Sequence, residues 1–77
     1  MKAVCSIYDS EAQLYGDVFT APGAVPAKRS FIDWCAKTPY ASSYQLHQLA
    51  SFDDNSGEFQ IHTPPILIVK GEFCAKE

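Results

Sequence analysis

Between Phe52 and Phe59 lie Asp53, Asp54, Asn55, Ser56 and Gly57, a run of oxygen-bearing side chains closed by a glycine. Such a run can bind a hard cation or turn a chain. A calcium loop of the helix–loop–helix type needs oxygen ligands at its first, third and fifth positions and a bidentate glutamate at its twelfth. Counted from Asp53, the third position is Asn55, the fifth is Gly57 and the twelfth is Pro64. Gly57 has no side-chain oxygen, proline is no ligand, and the flanks alternate like strands. The better account is the tip of a β-hairpin in which Gly57 takes a positive φ. Neither a metal nor any other cofactor is expected.

Nucleophilic chemistry is as weakly marked. His47 and His62 are the only histidines, and both fall in stretches that read as strands. A Cys5–His62 pair stays open on sequence alone, but nothing marks the third group that would orient the histidine. Both histidines read as partly exposed strand residues, and the protein as nonenzymatic.

The aromatic residues carry more. Four tyrosines, five phenylalanines and one tryptophan are more than one small core requires. Tyrosines on a sheet face stack single-stranded bases, and cations beside them hold phosphates. Tyr8 and Tyr15 are the candidate stacking residues, and Lys28 and Arg29 the candidate phosphate contacts. The competing use of the same aromatics is a subunit interface, where tyrosine is also enriched. The net charge of −3 favours the interface, because a strongly basic balance is the usual mark of a nucleic-acid binder.

These side chains must be positioned by a small domain. The 77 residues form one domain, 1–77, and a chain of this length buries only about 60% of its unfolded surface. Stability then calls for a crosslink, a ligand or a second subunit. Cys5, Cys35 and Cys74 show no zinc spacing and suit reduced thiols, two of them packing as small apolar groups. A homodimer is the expected remedy. The N-terminus reaches Asp9 too early for a secretory signal, and the longest apolar run, Ile66 to Val69, is too short to span a membrane.

Alternation predicts a strand over Lys2–Tyr8, with Ala3, Cys5 and Ile7 on one face and Val4, Ser6 and Tyr8 on the other. A second strand is expected over Gln13–Thr20, with Tyr15 and Phe19 sharing a face. After Ala21-Pro22-Gly23, the stripe Ala27, Phe31, Trp34, Cys35 predicts a helix. Pro26 would take its first position, Arg29–Asp33 and Asp33–Lys37 would pair on its outer side, and Thr38 before Pro39 would end it. Tyr44–Phe52 reads as a strand, with either two covered faces or a bulge near Leu49. Glu58–His62 follows, Pro64-Pro65 interrupts, and Ile66–Val69 reads as a short strand buried on both faces. The tail from Glu72 reads as frayed. The fold class is α+β: a small antiparallel sheet, in the order ββ-α-ββ-β, with one helix packed on it.

The stretches SIYDSEAQLYGDVF, AKRSFID and YQLHQLASFDDNSGEF, followed by an apolar strand, resemble the small nonstructural protein of gokushovirus-type microviruses. The matching residues are Tyr8-Asp9, Tyr15, Arg29-Ser30-Phe31 and Tyr44 to Gly57; Ala50 departs from the pattern where the family has glycine. The resemblance covers nearly the whole chain. It implies a nonstructural DNA-binding role in single-stranded DNA synthesis in the host bacterial cytoplasm, and brings no catalytic residue. The expected function is a nonenzymatic accessory factor of phage genome replication that binds single-stranded DNA. The alternative is a protein-binding adaptor that regulates phage or host replication proteins or the packaging machinery.

Overall fold

In the computed structural model, residues 1–71 are described. The expectations for Cys74 and for the tail from Glu72 lie outside the described residues. Strands β1 (Lys2–Asp9) and β2 (Leu14–Ala21) form a hairpin, followed by helix α1 (Ala24–Ala36), a single 3₁₀ turn at Ala41–Ser43, and strands β3 (Tyr44–Phe52) and β4 (Phe59–Lys70). All strands pair antiparallel in one sheet with the order β2-β1-β3-β4. This is an α+β arrangement, with β2 and β4 at the two edges.

Helix α1 forms where its apolar stripe can be buried. Ala27, Phe31 and Cys35 pack onto Ala3, Cys5, Leu46 and Val69, with Ile7, Phe19 and Tyr44 closing the rim. Phe31 and Leu46 are the largest fully buried side chains of this core. Burial of Cys5 pushes its thiol pKa up, which keeps it protonated as an apolar filler. Trp34 stands at the margin, stacked on Phe31 at 5.9 Å and edge-on to Tyr44 at 5.1 Å.

Pro26 is the third helical residue rather than the first, because the helix already begins at Ala24. The position costs nothing, since N–H groups of the first turn have no helical acceptor. The expected Arg29–Asp33 and Asp33–Lys37 pairs are not formed; the one ion pair among the described residues joins the Met1 amine to Asp54 at 3.2 Å. The helix ends as foreseen, with the Thr38 hydroxyl donating to the Trp34 carbonyl at 2.7 Å.

Four irregularities decide which side chains share a face, one of them the extra residue Ile68 on β4 between the Leu46–Val69 and His47–Leu67 pairs. Between β1 and β2 the register slips between Ser6 and Tyr8, so that Ser6 faces Val18 while Tyr8 faces Tyr15. The extra residue at Gly16–Asp17 turns Tyr15 to the side opposite Phe19, not the same side as simple alternation requires. The Ser6 hydroxyl, fully buried, donates to the Gly16 carbonyl at 3.0 Å and satisfies the bulge. On β3, Leu49 is the extra residue between the Val4–Ala50 and Cys5–Gln48 pairs, which settles the bulge alternative.

The last irregularity corrects the expected break at Pro64-Pro65. Strand β4 runs unbroken from Phe59 to Lys70, and residues 62–65 bow out between the Ala50–Ile61 and Gln48–Ile66 pairs. Proline is tolerated there because β4 is an edge strand and needs no outward ladder. For the same reason Ile66 and Leu67 remain exposed, and only Val69 of the run is buried.

The loop from Asp53 to Glu58 closes the β3–β4 hairpin. Asp53 Oδ1 accepts the Asn55 N–H at 2.9 Å and the Ser56 N–H at 3.4 Å, and these donors hold its carboxyl below the usual carboxylate range. Gly57 has φ 80°. Among the described residues no group of three or more His, Cys, Asp or Glu is arranged to hold a metal ion. Gly71 seals the other end of the sheet: it is buried, and a Cβ there would fall onto the Ala41 carbonyl.

Candidate functional site

Because the helix covers one side of the sheet, the other side is left open. Val4, Ser6 and Tyr8 alternate with the core residues Ala3, Cys5 and Ile7 and therefore face away from the helix. Register carries that face to Tyr15 and Val18 on β2, to Gln45 and His47 on β3, and to Leu67 and Lys70 on β4.

Three rings gather on this face. Tyr8 and Tyr15 lie 4.8 Å apart between centroids, Tyr8 stacks on His47 at 5.3 Å, and Tyr15 meets His47 edge-on at 5.4 Å. The Tyr15 hydroxyl is 2.8 Å from His47 Nδ1, and His47 Nε2 is 2.9 Å from Gln45 Oε1. A carboxamide oxygen only accepts, so Nε2 carries the proton and Nδ1 accepts from the tyrosine. Partial burial lowers the His47 pKa and keeps the ring neutral. The cluster is held on both sides before any ligand arrives. A second aromatic pair, Phe52 and Phe59 at 5.0 Å, stands at the far end of the same face.

The charges on the two sides differ. Lys2 faces Phe52 and Lys70 faces Gln45, which puts both lysines on the open face. The two carboxylates within the strands, Asp9 and Asp17, are on the helix side instead. There they line a cleft of about 480 Å³ together with Ile7, Phe19, Trp34 and Tyr44. The strands thus bring no carboxylate to the open face, although Asp54 of the β3–β4 loop lies close enough to Lys2 to feel its charge.

Of the four candidate residues, the fold brings Tyr8 and Tyr15 into contact and separates them from Lys28 and Arg29. Those two cations are exposed on the outer side of α1, next to the buried Ala27, on the opposite side of the sheet. His47, Lys2 and Lys70 were missed as site residues. The signal for His47 was its alternation with Leu46 in the strand; for the lysines it was their position at strand ends, which acquires meaning only with the register.

The model of a family described as Phage ORF5 protein matches residues 2–74. No curated protein and no solved structure matches the chain.

Proposed function

Because the chain belongs to the Phage ORF5 protein family, we propose that it is a nonenzymatic phage accessory protein that binds single-stranded DNA through the open face of its sheet. The carrying observation is the Tyr8–Tyr15–His47 cluster on a helix-free face where the strands bring lysines and no carboxylate. Every base offers a π-face to such rings whatever its identity, so binding of this kind tolerates sequence. Lys70, opposite Gln45, stands beside the rings, and Lys2, opposite Phe52, stands at the Phe52–Phe59 end of the same face; these two take over the phosphate role that the sequence had suggested for Lys28 and Arg29. The place of action is the cytoplasm of the infected bacterium, during synthesis of the single-stranded genome of a microvirus-type phage.

The adaptor alternative draws on the helix side. A cleft with two aspartates beside Trp34 and Tyr44 suits a basic, partly apolar protein segment rather than a polyanion. Titration of the protein with a fluorescent single-stranded oligonucleotide at two salt concentrations separates the readings. Binding that weakens with salt supports the DNA reading; absence of binding at low salt removes it and leaves the adaptor.

A further inference from the structure

The two edges of the sheet are protected unequally. Edge β4 carries Pro64 and Pro65 and bows out of register over residues 62–65, which removes donors and bends the strand. Both are standard ways of blocking an incoming strand. Edge β2 has neither a proline nor a lysine across Leu14–Ala21. Its outward N–H and C=O groups face solvent, and it exposes Leu14 by 66% and Val18 by 60%. Edge β2 has a bulge of its own at Gly16–Asp17, but no proline deletes its donors, and such an edge with large apolar side chains on both faces is a template for another strand.

We infer that β2 is a subunit interface, pairing antiparallel with β2 of a second copy about a two-fold axis perpendicular to the sheet. The sequence of β2 selects the register. The bulge at Gly16–Asp17 puts Tyr15 and Val18 on the open face, and Leu14 and Phe19 on the helix face. Setting Gly16 opposite Asp17 of the partner then aligns Tyr15 with Val18 and Leu14 with Phe19. Each pair stays on its own face, and each joins an aromatic to an aliphatic side chain, a favourable cross-strand combination. A shift by one residue in one direction sets Asp17 against Asp17 of the partner, a like-charge pair, and puts Tyr15 opposite Phe19, which points to the other face; in the other direction it sets Tyr15 opposite Asp17 and Leu14 opposite Val18, again across faces. A shift by two aligns Asp17 with Val18, again across faces. Only the first register matches faces, apolar pairs and charge together. It also answers the need of a short chain for more buried apolar surface.

Such pairing joins two sheets into one and sets Tyr15 of each copy next to the axis on a shared open face. The interface itself does not depend on the DNA reading. Its consequence does: two Tyr8–Tyr15–His47 clusters would then lie on one continuous surface.

The test is the mass of the protein in solution without DNA. Val18→Lys and Leu14→Lys each place a charge against the partner strand at a position already exposed in the monomer, and Ile61→Lys on β4, itself exposed, is the control of equal charge change. Light scattering is expected to give a dimer for the wild type and for Ile61→Lys, and half that mass for both β2 variants, with circular dichroism unchanged. A wild-type monomer at high micromolar concentration overturns the inference. So does a dimer that survives both β2 substitutions or is lost in Ile61→Lys. If the β2 variants fail to fold, hydrogen exchange of the wild type decides: slower exchange of β2 amides with rising protein concentration supports the pairing, and concentration-independent exchange overturns it. Because no DNA is present, none of these results bears on whether the monomer face binds it.

Discussion

Tyr15 and His47 form a 2.8 Å hydrogen bond although their strands are not neighbours. Strand β1 runs between β2 and β3, so the bond spans two strand spacings, roughly 10 Å of sheet. It does so by leaning over Tyr8, whose ring lies in contact with both partners. The three rings therefore act as one rigid unit across the middle of the sheet, which is the kind of preorganised surface that stacking requires.

DNA affinity should divide into two separable parts. Tyr15→Ala is expected to weaken oligonucleotide binding by ~1–3 kcal/mol with little change in salt slope, because stacking is not ionic. Lys70→Ala is expected to lower the slope of log K against log salt by ~0.7, the share of one phosphate on a single strand. Lys28→Ala and Arg29→Ala, on the far side, should leave both quantities close to wild type. A loss for Arg29→Ala as large as for Lys70→Ala would move the interface to the helix.

His47 predicts a pH dependence of stability. Its folded-state pKa is lowered from 6.5 by burial. Below pH 6.5 the unfolded chain takes up a proton that the folded chain resists, so stability falls with acidification through that window and is fully present above it. Protonation also removes the lone pair that accepts the Tyr15 hydroxyl. Melting temperature followed from pH 8 to pH 5 should fall less steeply in His47→Gln than in the wild type. Equal slopes would assign the dependence to other groups.

Gly71 should not tolerate a side chain. A Cβ there meets the Ala41 carbonyl and lies 2.8 Å from the Tyr44 carbonyl oxygen, both backbone atoms that cannot rotate away. Gly71→Ala is expected to destabilise by about 1–3 kcal/mol, as overpacking does, read as a lower denaturant midpoint. An unchanged midpoint would show that the Ala41–Ser43 turn yields freely.

Gly57 should be sensitive for a different reason. A Cβ at this position meets nothing within 4 Å, yet φ is 80°. Gly57→Val should cost about 1–2 kcal/mol through backbone conformation alone. Gly57→Asn, which adopts left-handed geometry more readily, should recover part of it. Identical stabilities for the two variants would contradict a purely conformational cost.

The helix and the Asp53–Gly57 turn were legible in the sequence because each depends on neighbours in the chain: a stripe at helical spacing, and a glycine after short polar residues. What escaped was decided across strands. Tyr15 follows Phe19 in simple alternation, and only the extra residue opposite Ile7 turns it to the side of Tyr8. Pro64-Pro65 reads as a stop, and only the edge position of β4 lets the strand continue. The tyrosines of the site were visible as an excess of aromatics. Their separation from Lys28 and Arg29 was not, because sequence distance does not show which side of a sheet a helix covers.

The single helix also divides the chain by consequence. Substitutions on its side of the sheet, at Phe31 or Leu46, strike the core, and whatever they do to the phage passes through folding. On the open side, Tyr15, Val18 and Leu67 are exposed, and their loss leaves that core untouched. A saturation-mutagenesis screen of phage growth set beside one of protein abundance would therefore sort the sequence into two populations without any knowledge of the ligand. Positions that affect growth but not abundance should be the exposed open-side ones, such as Tyr15 and Val18 on β2 and Leu67 on β4, and not Val4, Ser6 or Ala50, which lie on that side but are buried.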